Sequence, residues 1–596
     1  TMPKNTYSFL KALASPLRRE PVFFVFMYIL FVVARIFEQT ESPTPAAVYY
    51  LENVFDLYLL CALLCILPRR LRPWAKAALY ATGYAACISE GFIHERFHLV
   101  FVPVTIQLVR ETNPDEAGEF FSAYLQGSAL WKVVLVYAPI IILNILGEVF
   151  SRHVKRFIRR CAPTLGGRLF NVCAPVFVAA CFIASIGEKE KMLRFFTFEG
   201  TEAAERLDNH AFHTPFYRMV YSAFFLRLTD RELDDMRERM RNIKVDSCSF
   251  RVPNIVLYIG ESYNKHHSQL YGYSLPTTPR QSAMAREGSL IAFTDVVTPW
   301  NVTSDVFKNI LSTHSCDQPG KWTDGVLVPA VLKKAGYKTA FITSQYYKTP
   351  NMGITDFNGS FFLNDDELDS LCFDHRNKFR KRYDSNLVKE IDKFRRGDNN
   401  FIIFHGIGQH QEYNKRFGPK NVVFTTDDYK HRTDLNEHEK QILADYDNAT
   451  RFNDYVFALL CKEFEHDDAV VLYLADHGEE VFDRVHNFGR DHTAELTADI
   501  AYSEFEIPFE LWLSPKARRL HPDIAEAARR AADMPFASDD LPHVLMGLAG
   551  IECGFYDARR DLLSTAFRPG RKRILKHTTD YDSLMSAPKQ QAEQWK

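Results

Sequence analysis

Cysteine is scarce in this chain, 11 in 596 residues, which excludes a small scaffold built on disulfides. Charge of one sign is scarce as well: 72 Lys and Arg against 74 Asp and Glu leave a formal net charge of -2. With no basic surplus to neutralise a phosphate backbone, no nucleic-acid partner is expected. Internal repeats and long low-complexity tracts are also missing, and 46% hydrophobic residues exclude a chain disordered throughout. A mean hydropathy of -0.21 describes an ordinary water-soluble protein. That average hides two unlike halves.

Five uncharged runs lie in the first half, at residues 21–34, 57–68, 77–89, 133–147 and 169–187. Each is near or below the ~20 residues that cross a bilayer core, so the shorter ones must extend into flanks that hold Arg35, Asp56 or Lys132. One such run alone would suit a buried core helix. The charges between them point to membrane spans. Lys4, Lys11, Arg18 and Arg19 precede the first; Arg69, Arg70, Arg72 and Lys76 separate the second from the third. Arg152, Lys155, Arg156, Arg159, Arg160 and Arg168 separate the fourth from the fifth. The alternate connections are nearly bare, with none in 38–53 and only Arg96 and Arg110 in 90–126. Positive charge on every second loop predicts five spans that begin inside and leave everything after residue 187 on the far side. Residues 1–187 are thus expected to form a transmembrane helical domain. A further apolar run at 98–109 predicts an interfacial or re-entrant helix. Residues 188–250, charged and studded with aromatics, predict amphipathic bridging helices on the membrane surface.

From residue 251 the pattern changes. Short apolar runs at 255–259, 338–343, 401–404, 470–474 and 509–513 alternate with helical stretches, which predicts an α/β domain with a mainly parallel sheet over 251–567. The segment 568–596, with Arg571, Lys572, Arg573 and Lys576, is expected to be a loosely held basic tail. Polar residues follow the strands directly: Gly260-Glu261-Ser262, then His405 to His410, then Asp476-His477-Gly478. In an open α/β sheet, ligands bind beyond the carboxyl ends of the strands. An Asp-His pair at one strand end and a Glu at another form a donor set that suits zinc, with manganese as the alternative.

These segments carry a resemblance. Asn254 to Ser262 (NIVLYIGES), Leu270 to Tyr273 (LYGY), Thr277 to Pro279, His405 to His410 (HGIGQH), Tyr446 to Asn448 and Asp476 to Glu479 (DHGE) resemble the lipid-linked phosphoethanolamine transferases. Those are membrane members of the alkaline phosphatase and sulfatase superfamily. Glu111 to Ala117 (ETNPDEA) looks like the signature of their outer loop before the fourth span. The resemblance implies an α/β/α sandwich after the helical domain, with zinc held by Glu261, Thr303, Asp476 and His477. One zinc is implied, and a second is left open.

Thr303 would be the nucleophile. Its physical case is separate: a threonine hydroxyl attacks well only when a metal or base activates it, and a helix N-terminus favours a phosphoryl oxygen. Thr303 as a plain helix cap is the rival reading, and Thr298 and Ser304 are competing nucleophiles. By resemblance His410 and His486 would contact substrate, with His492 as a substitute for His486 and His405 structural. Thr112, Asn113 and Glu116 would bind the donor head group, unless they merely cap a helix.

The chain also departs from the pattern. Asn264 precedes Lys265 where the family has its basic residue, and no cysteine lies near Thr303. Cys248, Cys316, Cys372, Cys461 and Cys553 are an odd set for an oxidising compartment.

The implied reaction moves phosphoethanolamine from phosphatidylethanolamine to lipid A or another envelope glycan, through a covalent threonine intermediate. It implies a multi-pass protein of the bacterial inner membrane with a periplasmic catalytic domain, monomeric by default. A phosphoglycerol transferase of the lipoteichoic-acid type and a membrane-anchored sulfatase or phosphatase are the alternatives. Sulfatases use a modified Cys or Ser in a motif that is missing around Thr303.

Overall fold

The computed structural model describes residues 4–38, 46–97, 100–101, 128–151, 153, 156, 167–195, 214–345, 365–378, 381–395, 397–490 and 496–586. The chain divides into two compact units, Thr1–Arg231 and Glu232–Lys596.

The first unit is helical. After α1 (Lys4–Leu13) and α2 (Ser15–Arg19) come α3 (Pro21–Glu38), α4 (Ala46–Ile66), α5 (Arg72–Phe97), α6 (Ser128–Val149), α7 (Arg168–Phe195) and the first part of α8 (Pro215–Arg241), whose last residues belong to the second unit. Phe23, Leu30, Leu57, Cys61, Cys87 and Tyr137 are buried between helices, while Leu135, Ile142, Phe177 and Ile183 face outward. An apolar exterior around a thin apolar core suits lipid as the surrounding solvent. Among the described residues, three helices are long and apolar enough to cross a membrane, Ala47–Ile66, Trp131–Val149 and Arg168–Arg194, and Pro21–Ile36 is apolar but shorter. The buried charges of this unit are matched. Arg218 pairs with Glu90, Lys189 with Glu52 and Asp56, and Lys76 with Glu20 and Glu148. The apolar run 102–109 and the residues Thr112, Asn113 and Glu116 lie outside the described residues.

The second unit is built on a seven-stranded sheet: β1 (Asn254–Gly260), β2 (Leu290–Phe293), β3 (Lys338–Thr343), β4 (His375–Arg376), β5 (Asn400–His405), β6 (Ala469–Ala475) and β7 (Phe509–Leu513). The order is β2-β7-β6-β1-β5-β3-β4. All five expected strands are present. Four of them are parallel neighbours, with Leu257 beside Ile403 on one side and Leu472 on the other. β7 runs antiparallel to β6 and to β2, so that edge is mixed. Central strands β1, β5 and β6 are buried along their whole length. This explains why their sequences are continuous apolar runs and not alternations.

The basic tail expectation is corrected. Residues 568–586 pack onto the unit: Arg571 pairs with Asp317 and Asp540 at 3.0 and 2.6 Å and also with Asp539. Arg573 joins Asp295 and Asp582, and Ile574–Leu575 forms a small hairpin with Thr579–Asp580. Buried arginines with matched carboxylates are anchors, whatever their composition resembles. Cys248, Cys316, Cys372, Cys461 and Cys553 are all free thiols.

Candidate functional site

The carboxyl ends of β1 and β6 set the site. The chain turns sharply at Ser262, whose φ of 55° lies in the left-handed region that non-glycine residues occupy at a cost of about 1 kcal/mol or more. This turn aims the Ser262 N–H at Asp476 Oδ1, 3.0 Å away, and His477 N–H donates to the same oxygen at 2.7 Å. Gly478 allows the second turn, because a Cβ there would stand 2.2 Å from the Ser503 carbonyl oxygen. Glu261, Asp476 and His477 are thereby brought together, fully buried, with one potential ligand atom from each within 4.8 Å of the others.

The donor chemistry fits a cation. His477 Nδ1 donates to the Gly478 carbonyl at 2.8 Å, which fixes the tautomer and leaves the Nε2 lone pair on the cluster side. Asp476 Oδ2 is buried without a hydrogen-bond partner and lies 3.2 Å from that nitrogen. Burial and the Glu261 charge push Asp476 well above the usual carboxylate range. Burial also opposes ionisation of Glu261, but the positive charge around it, that of Arg490 included, holds it well below that range. Burial and the Arg490 charge lower His477 to about 4, so its imidazole is neutral at pH 7. Two buried carboxylates and a neutral imidazole with a free lone pair are a ligand set for a divalent ion such as zinc.

Thr303 opens α9 (Thr303–Leu311), but it is not the cap. Val302 occupies that position, without a side-chain cap bond. The Thr303 hydroxyl instead faces the cluster, donating toward Glu261 Oε1 and Oε2 at 3.4 and 3.3 Å and lying 3.3 Å from His477 Nε2. Thr298 is buried, and its hydroxyl has no hydrogen-bond partner. Around the cluster, Gln345 Nε2 donates to Glu261 Oε2 at 2.9 Å, and Gly408 passes so close that a Cβ would meet Glu261 O at 2.8 Å.

The remaining histidines separate. His410 is half-buried and close enough to Glu261 to interact with it electrostatically. His405 bonds Thr343 at 3.0 Å, and burial lowers it to about 4, in keeping with a structural role. His486 is not drawn to the cluster. Its ring is 60% exposed and pairs with Glu439 at 3.2 Å, on the first turn of α10 (Glu437–Glu463). His492 lies outside the described residues.

Sequence reasoning missed Arg490, which follows the short hairpin of Glu480–Val481 with Phe488–Gly489. Its guanidinium donates to Asn301 O at 3.0 Å and to His477 Nε2 at 2.9 Å. Gln345 and Glu479 were missed as well; Glu479 is buried, accepts from Tyr413 at 2.6 Å, and is raised to about 7 by burial. Glu479 stands in the Asp476 to Glu479 segment but was given no role there, and neither Gln345 nor Arg490 lies in one of the quoted segments.

A sheet-end acid–imidazole cluster facing a helix-borne hydroxyl defines a class. The family model described as Sulfatase matches residues 253–551, and the chain belongs to the sulfatase family. Within it the similarity is to phosphoethanolamine transferases. The chain is 27% identical over 537 residues to phosphoethanolamine transferase EptC of Escherichia coli O18:K1:H7, covering 86% of this chain and 85% of that protein. It is 27% identical over 538 residues to phosphoethanolamine transferase CptA of Salmonella typhimurium, with the same coverage. The crystal structure of the C-terminal periplasmic domain of EcEptC from Escherichia coli is 29% identical with a TM-score of 0.49, covering 58% of this chain and 96% of that domain.

Proposed function

We propose that the protein is a zinc-dependent phosphoethanolamine transferase of the bacterial inner membrane, held by five spans with its catalytic unit in the periplasm. It moves phosphoethanolamine from phosphatidylethanolamine to lipid A or another envelope glycan. The observation that carries the reading is the Thr303 hydroxyl, 3.3 Å from both Glu261 Oε2 and His477 Nε2 at the start of a helix. The names of the relatives support the group transferred, and a Kdo(2)-lipid A phosphoethanolamine 7''-transferase of Escherichia coli K12, 23% identical over 435 residues, supports the acceptor class.

Glu261, Asp476 and His477, with Thr303, would hold one zinc, which when bound lowers the hydroxyl pKa and draws charge from a phosphoryl oxygen. In the first half-reaction the bond from Thr303 Oγ1 to phosphorus forms as the bond from phosphorus to the diacylglycerol oxygen breaks. The Thr303 hydroxyl proton leaves to water as the oxygen attacks, and His410 supplies one to the leaving diacylglycerol oxygen. The backbone N–H groups of the first turn of α9 face the phosphoryl oxygens. In the second half an acceptor oxygen bonds to phosphorus and the Thr303 bond breaks, with the proton transfers reversed. Thr112, Asn113 and Glu116 form the proposed donor head-group site, while His486, exposed and paired with Glu439, is left out of the proposed substrate contacts. The ammonium of ethanolamine gives Glu116 a role that a glycerol head group would not. The protein acts as a monomer.

The test uses the full chain in nanodiscs with labelled phosphatidylethanolamine and purified lipid A. The wild type should release diacylglycerol and label the acceptor, and Thr303→Ala should do neither. Unchanged turnover in the variant would sink the mechanism. Label released to water without an acceptor product would mark a hydrolase.

A further inference from the structure

We propose that Arg490 is a catalytic residue that binds the non-bridging oxygens of the transferring phosphoryl group beside Thr303; this rests on the transfer reading above. The Arg490 side chain is 15% exposed, and its carboxylate contact is a loose one, 3.7 Å to Glu479. A structural arginine in a buried site ordinarily closes a bidentate pair at 2.7–2.9 Å. Arg560, which donates to both oxygens of Asp317 at 2.9 and 3.1 Å, makes such a fork here. Arg490 instead spends its described contacts on the Asn301 carbonyl and on His477 Nε2.

That nitrogen decides the matter. The same Nε2 lies 3.3 Å from the Thr303 hydroxyl, so the guanidinium and the hydroxyl meet on one atom. It is also the lone pair that the triad offers to a cation. Once that lone pair is engaged, the Arg490 N–H must find another acceptor or be left buried and unsatisfied, which is unfavourable. A phosphoryl group on Thr303 presents anionic oxygens at that place, and the planar fork of arginine matches them. A guanidinium keeps its charge throughout the physiological pH range.

The hairpin that delivers Arg490 is pinned. Asp483 accepts from the buried His267 at 3.1 Å and from Asn264 at 2.9 Å, Arg432 donates to Phe482 O at 2.7 Å, and Gly489 turns the chain with a φ of 102°. A rigid support for one side chain beside the nucleophile is what placing an oxyanion donor requires.

The experiment compares the wild-type full chain in nanodiscs with Arg490→Gln and Arg490→Lys. Three quantities are read: zinc content, binding of inorganic phosphate by phosphorus NMR, and the rate of the phosphatidylethanolamine half-reaction. The proposal expects unchanged zinc content, phosphate affinity at least tenfold weaker in Arg490→Gln, and kcat lower by about 100-fold to 1000-fold, partly restored in Arg490→Lys. Phosphate binding and kcat unchanged in Arg490→Gln overturn it, and so does loss of zinc, which would make Arg490 a support of the metal ligands. A wild type that forms no adduct on Thr303 yet binds phosphate through Arg490 would refute the transfer reading and leave the arginine's role in phosphate binding intact.

Discussion

Two buried histidines in the α/β unit each stand beside two carboxylates, and they do opposite things. His267 gives Nδ1 to Asp447 at 2.6 Å and Nε2 to Asp483 at 3.1 Å. With a carboxylate on each nitrogen the ring is an imidazolium: burial alone would lower its pKa, but Asp483 and Asp447 raise it to about 10. Tyr273 and Tyr429 complete the shell by donating to Asp447 at 2.8 and 2.5 Å. His477 gives Nδ1 to a backbone carbonyl and turns Nε2 toward both carboxylates, Thr303 and Arg490. Its ring stays neutral. The same residue types therefore make a closed ionic cluster or an open ligand set, and the partner of Nδ1 decides which.

The comparison breaks first at the carboxylates. Glu261→Gln should lower turnover by about 1000-fold or more, with zinc content reduced and the fold retained. Asp447→Asn should do the reverse, destabilising the unit by about 3–5 kcal/mol because it leaves a buried imidazolium short of a counter-charge. Denaturant melts and zinc analysis on the two variants check both. Equal effects from the two substitutions would erase the distinction.

His267 sharpens it through pH. Its folded pKa of about 10 lies above the reference value of 6.5, so its stabilisation is complete below the lower value and is lost as pH rises through the upper one. His267→Gln should therefore lower the melting temperature most at pH 6 and least near pH 10, with at most about 5 kcal/mol at stake. A gap that grows with pH contradicts the imidazolium assignment.

A smaller effect separates the two histidines expected at the substrate. His410→Ala should lower kcat by about 100-fold as a proton donor. His486→Ala, with an exposed ring on Glu439, should change it by less than about threefold, since an exposed pair contributes little. Steady-state rates on labelled phosphatidylethanolamine measure both.

Much of the fold was legible because burial on both faces writes β1, β5 and β6 as unbroken apolar runs. The Glu261 and Asp476-His477 pairs were legible because they stand directly at strand ends. Arg490 was not, since it follows a hairpin whose course depends on His267 and Asp483, far apart in sequence. The clasp of Arg571 on Asp317 and Asp539 was misread for the same reason: a local run of positive charge says nothing about carboxylates that arrive from elsewhere. The direction of β7 was hidden too, because an apolar strand reads the same both ways.

The most direct test of the account is anomalous diffraction at the zinc edge from crystals of the full chain grown with zinc. The account predicts one peak bonded to Glu261, Asp476, His477 and Thr303, and none at His267. A peak between Asp447 and Asp483, or no peak at His477, would contradict it.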